Sequence, residues 1–109
     1  MTINEYQKAA MRTANPGVCD QLPNVALGLY GESGEIADMV KKAEYQGHEL
    51  DKEHIAKELG DVAWYLALGA TTIGYDLETI LQMNVDKLKA RYPEGFDPEK
   101  SNNRKPGDV

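Results

Sequence analysis

Cysteine, phenylalanine and tryptophan occur once each in this 109-residue chain, and histidine only twice. The lone Cys19 excludes an internal disulfide, which suits a reducing cytoplasm. Basic residues are outnumbered, 12 Lys and Arg against 18 Asp and Glu, leaving a net charge of −6. No basic stripe is present to release counterions from a phosphate backbone, so a nucleic acid polymer is not expected as partner. An anionic ligand would have to arrive with metal. Long apolar runs are also missing. The 14 uncharged residues between Asp61 and Asp76 are too short for a membrane span and are interrupted by Gly69 and Gly74. They read as buried helix, with no membrane partner. The N-terminus lacks the basic-then-apolar pattern of an export signal, so a cytoplasmic location is expected. Sustained alternation of polar and β-branched residues is absent, which excludes a sheet.

Proline is absent from Asn24 to Tyr92. The five prolines, Pro16, Pro23, Pro93, Pro98 and Pro106, bracket that core. Thr2 followed by Glu5 is a capping-box signal and starts a first helix over about 3–14. Asn24 is the candidate cap of a second helix over about 24–46, closed by Gly47. Asp51 starts a third over about 52–74, and Asp76 a fourth over about 77–92. The expected fold class is therefore all-α, a four-helix core with short loops. Residues 1–95 form one domain, followed by a flexible C-terminal tail over 96–109 rich in Asn, Arg and Lys. A chain of this length buries only about two-thirds of its unfolded surface, so self-association is expected.

Against this apolar background two acidic pairs stand out, Glu32 with Glu35 and Glu58 with Asp61. Each pair has i, i+3 spacing, which places both carboxylates on one helical face. Val25, Leu29, Ile36, Val40 and Ala43 form one 3.6-period stripe, and Glu32 falls within it. Ile55, Leu59, Val62, Leu66 and Ile73 form another, bordered by Glu58, Asp61 and Tyr65. One pair alone would read as a solvated helix face. Two pairs on core-facing stripes of antiparallel helices point four carboxylates at one volume, and no Lys, Arg or His lies on those stripes to compensate them. A divalent cation would. Gly28, Gly31, Gly34 and Gly60 thread the same motifs at about 1 kcal/mol each against alanine in a helix. Close helix approach, for packing or around a ligand, is the reason to keep them.

Hard oxygen ligands favour Mg2+, with Mn2+ as possible substitute, over zinc. His48 and His54 stand outside a Glu-x-x-His relation to these acids and read as surface or turn residues, His48 being the nearer to a ligand. Carboxylate-held magnesium commonly awaits substrate phosphates, which points to phosphoryl chemistry. On the fourth helix Asn84 interrupts the stripe of Leu77, Ile80, Leu81 and Leu88, either as a buried amide that fixes register or as a ligand contact. Lys87 and Arg91 follow on successive turns. Tyr30, Trp64 and Tyr65 serve equally as core or as base-stacking surfaces.

The run Gly31-Glu32-Ser33-Gly34-Glu35, then 22 residues, then Glu58-Leu59-Gly60-Asp61-Val62-Ala63-Trp64-Tyr65, resembles the ExxE…ExxD signature of the MazG-like all-α nucleoside triphosphate pyrophosphohydrolases. Asn84-Val85-Asp86-Lys87-Leu88-Lys89-Ala90-Arg91-Tyr92-Pro93 is similar to that family's following helix end, and the resemblance covers roughly residues 1–95. It implies hydrolysis of a (deoxy)nucleoside triphosphate to monophosphate and pyrophosphate. It also implies a homodimer or dimer of dimers with sites at subunit contacts. Glu32, Glu35, Glu58 and Asp61 would then hold Mg2+, with Glu35 or Glu32 activating water. Asn84, Lys87 and Arg91 would contact the substrate. Two rivals remain, a γ-phosphatase and a noncatalytic acidic interaction module binding a structural cation.

Overall fold

The computed structural model describes residues 1–109, with five helices and no strand, so the chain is all-α. They are α1 (Ile3–Met11), α2 (Leu22–Tyr45), α3 (Lys52–Ile73), α4 (Leu77–Arg91) and α5 (Pro98–Asn102). Two compact units result, Met1–Leu77 and Glu78–Val109. No helix is long and apolar enough to cross a membrane.

The capping box forms as expected: Thr2 Oγ1 accepts the Glu5 N–H and Glu5 Oε1 accepts the Thr2 N–H. The helix stops at Met11 rather than Ala14. Thr13 and Ala14 donate their N–H groups only three residues back, to Ala10 and Met11, because Ala10 O is shared with the Thr13 hydroxyl and the Trp64 indole. On α2 the start is earlier than Asn24. Pro23 sits in the first turn, where its missing N–H breaks no helical bond. Asn24 lies inside the helix and donates to Gln21 Oε1 at 3.1 Å. Asp51 caps α3 by accepting the His54 N–H. At the other end Gly74 takes φ +81°, the left-handed geometry that lets Tyr75 N–H reach back to Ala70 O at 2.9 Å.

Helices α2 and α3 run antiparallel, as three facing positions show. Val25 faces Gly69, Gly28 faces Tyr65, and Glu32 faces Glu58 and Asp61, so numbers rise on one helix as they fall on the other. A Cβ on Gly69 would stand 3.1 Å from Val25 Cγ1, and one on Gly28 would overlap the Tyr65 ring. Small residues therefore set the spacing of this hairpin. Two side chains pin α1 to α3. The Trp64 indole N–H donates to Ala10 O and Thr13 Oγ1 at 3.0 and 2.8 Å. The Gln7 amide donates to Thr71 Oγ1 and Tyr75 O and accepts the Leu77 N–H at 2.7 Å.

The core is smaller than the stripes suggest. Ala10, Val25, Ala67, Leu68, Ala70 and Leu77 are buried, but Leu59, Leu66 and Ile73 of the expected α3 stripe are 55%, 42% and 54% exposed. Only α1 and α2 pack against α3, too little surface to cover its whole apolar face, and the small residues Ala67 and Ala70 take the contact instead. Along α4, Leu81, Met83, Val85 and Leu88 are likewise exposed.

In the second unit the stretch read as a flexible tail carries α5, capped by Asp97, whose carboxylate accepts the Glu99 N–H. Lys105-Pro106-Gly107-Asp108 then forms a turn closed by Asp108 N–H to Lys105 O, with Gly107 at φ +84°. Pro and Gly at its second and third positions are the type II pattern.

Candidate metal centre

Glu32 on α2 and Glu58 and Asp61 on α3 each bring one carboxylate oxygen within 4.8 Å of the others. The antiparallel pairing puts them there. Gly28 stands one turn before Glu32 and Tyr65 one turn after Asp61, so the tight Gly28–Tyr65 contact sets the helix separation at the cluster. Glu32 and Glu58 are half-buried and Asp61 is exposed, so the site opens to solvent on one side.

Crowding shows in the electrostatics. A hydrogen bond with Glu58 holds the Glu32 carboxyl above the usual carboxylate range. Burial and the negative charges of Asp61, Glu58 and Glu35 push it the same way. Three converging hard oxygens without a thiol suit Mg2+ or Mn2+.

Glu35 is the exception among the four acids. It is exposed and lies outside the converging group, adding only a weaker charge effect on Glu32. Members of an i, i+3 pair diverge by about 60° on either helix, so the rotation of α2 about its own axis decides which of Glu32 and Glu35 meets the α3 acids. Only Glu32 turns fully toward α3.

Two neighbours escaped the sequence reading. His54 Nε2 lies 3.2 Å from Glu58 Oε1, so His54 rather than His48 approaches the acids. The signal was its i, i+4 relation to Glu58 on a continuous helix, which also corrects the expectation that no basic group accompanies the stripes. Tyr6 comes from α1; burial and then the charge of Asp61 push its phenol up. No local pattern could have placed it.

The aromatic residues divide. Trp64 is structural, its indole N–H committed to α1, and it meets Tyr65 edge-on with ring centroids 5.0 Å apart. Tyr30 is 84% exposed.

Asn84, Lys87 and Arg91 belong to the second unit. Asn84 is exposed, not a buried register-fixing amide. Lys87 and Arg91 line a cavity of about 400 Å3 together with residues of the C-terminal segment. Arg91 is engaged there, donating from Nε and Nη2 to the two oxygens of Asp108 at 2.8 and 2.7 Å.

An antiparallel helical pair whose members both contribute carboxylates to one cluster makes this an all-α protein with a candidate cation site. Residues 22–96 match the MazG nucleotide pyrophosphohydrolase domain, and the chain belongs to that family. It is 37% identical over 114 aligned positions to the gene 37 protein of Mycobacterium phage L5, covering 95% of this chain and all of that one. No solved structure gives a significant match.

Proposed function

We propose that this protein is a divalent-cation-dependent hydrolase that cleaves a (deoxy)nucleoside triphosphate at the α-phosphorus, giving the nucleoside monophosphate and pyrophosphate. The observation that carries this reading is the convergence of Glu32, Glu58 and Asp61 at the α2–α3 contact of a MazG-family chain. Those three carboxylates would hold Mg2+, or Mn2+ in its place. When bound there, the cation would supply Lewis acidity toward the phosphoryl group and offset phosphate charge. Glu35, outside the converging group and exposed, is the carboxylate left to orient the attacking water and take its proton, with Glu32 the second catalytic acid. His54 holds Glu58 in orientation through Nε2. Asn84, Lys87 and Arg91 contact the substrate, the two cations offsetting charge on the departing pyrophosphate.

The wide exposed apolar faces of α2, α3 and α4 support assembly as a homodimer or dimer of dimers. The single cysteine suits a cytoplasmic protein.

Hydrolysis in oxygen-18 water with Mg2+ tests the reaction. Label should enter the nucleoside monophosphate and spare pyrophosphate, and Glu35→Gln should reduce kcat by about a hundredfold or more while helical content holds. Label in orthophosphate would identify a γ-phosphatase. No turnover across a panel of triphosphates would leave the noncatalytic interaction module.

A further inference from the structure

The strongest concentration of positive charge in this acidic chain lies in the second unit. Five cationic side chains, Lys87, Arg91, Lys100, Arg104 and Lys105, line the cavity of about 400 Å3, and Asp108 is the single carboxylate among them. Such a density of cations around one concave space is unfavourable without an anion. Asp108 supplies one now. Its two oxygens take the Arg91 guanidinium side-on, the paired geometry with which arginine also receives a phosphate. The pair is well covered, Arg91 being 9% and Asp108 17% exposed. Arg91, then Arg104 and Lys87, hold the Asp108 carboxyl below the usual range, so one carboxylate serves several cations. Asp108 is delivered by the Pro106-Gly107 turn, which a single backbone hydrogen bond, Asp108 N–H to Lys105 O, closes.

We propose that the cavity between the last turns of α4 and residues 100–108 is a pyrophosphate-group site, and that Asp108 holds Arg91 in the ligand's place until a bound pyrophosphate group displaces it. Lys100, Arg104 and Lys105 add to Lys87 and Arg91 the charge that such a group requires, and the C-terminal segment is thereby both wall and internal competitor. The choice of a pyrophosphate group rests on the proposed hydrolase reading. It is shared by the terminal phosphates of a nucleoside triphosphate and by the free product.

Calorimetric titration of the metal-free full chain in EDTA with sodium pyrophosphate tests this without any turnover, so loss of the hydrolase reading and loss of this site remain distinguishable. Asp108→Asn should tighten pyrophosphate binding by about tenfold, the lower range for one charge-assisted pair, and Arg104→Gln with Lys105→Gln should weaken it by a similar factor. Thermal melts and circular dichroism accompany each variant. An Asp108→Asn protein that melts lower yet binds with unchanged affinity would show a merely structural ion pair and overturn the proposal. Hydrogen exchange on the wild-type chain decides independently of folding in the variants. Faster exchange at residues 104–108 on saturation with pyrophosphate supports displacement, and unchanged or slower exchange overturns it. A nucleoside triphosphate with an α,β-methylene bridge, added in competition, assigns the site to substrate if it expels pyrophosphate and to free product if it does not. The Asp108→Asn shift must appear in either case.

Discussion

Gly28→Ala would place a methyl group inside the volume of the Tyr65 ring. That ring has little room to retreat, because it abuts Trp64 edge-on and the Trp64 indole N–H is shared between Ala10 O of α1 and Thr13 Oγ1 of the turn after it. Overpacking of this kind costs about 1–3 kcal/mol. Alanine returns about 1 kcal/mol through helix propensity, so the expected net loss centres near 1 kcal/mol. For a domain of this size that lowers Tm by roughly 4–8 °C. Gly31→Ala is the internal control, since nothing stands within 4 Å of a Cβ there, and its Tm should rise. The separation also has a functional reading. Pushing α2 away one turn from Glu32 should loosen the carboxylate cluster, so the Tm gain produced by a fixed Mg2+ concentration should shrink in Gly28→Ala and persist in Gly31→Ala. Differential scanning calorimetry with and without Mg2+ measures both effects. Equal rises in Tm for the two variants would refute the argument that Gly28 sets the helix spacing.

The raised Glu32 carboxyl gives a pH signature. Its folded pKa exceeds its unfolded value, so its contribution to stability is full below that unfolded value and is lost as pH rises through the folded one. In EDTA, Tm should therefore fall across that window, and Mg2+ should remove the fall; parallel profiles with and without Mg2+ would count against a shared site. Asp108 acts in the opposite direction: its lowered pKa gives stability above its unfolded value that is lost as pH drops through the folded one, and Asp108→Asn should flatten that acid limb. Light scattering on the eluting protein should give the mass of two or four chains, and a monomer at micromolar concentration would refute assembly through the exposed apolar faces.

The order of α1 to α4 was legible because proline, capping residues and 3.6-period stripes agree along most of the chain, whereas the short α5 fell in the stretch read as a tail. Boundaries were less so. Pro23 reads as a breaker, yet a first-turn proline is compatible with a helix, and only the surrounding hydrogen bonds show that α2 starts at Leu22. The ladder of Ala10 O ended α1 early because a tryptophan 54 residues away competes for it. The carboxylate cluster was readable from spacing on two antiparallel helices, but which three acids converge depends on how far each helix is rotated about its axis. Sequence period alone cannot supply that angle. Arg91 and Asp108 meet across 17 residues through a Pro-Gly turn, a relation that no helical period encodes.

The single tryptophan occupies an unusually informative place. Its indole touches the last turn of α1 through Ala10 O, the following turn through Thr13 Oγ1, and Tyr65 through an edge contact, and Tyr65 in turn rests on the glycine one turn from Glu32. Excitation near 295 nm, where indole absorbs and phenols scarcely do, therefore interrogates one locus beside the acidic cluster. The protein carries its own unlabelled optical probe, and cation loading, helix separation and detachment of α1 each reach that fluorophore through a contact of known geometry.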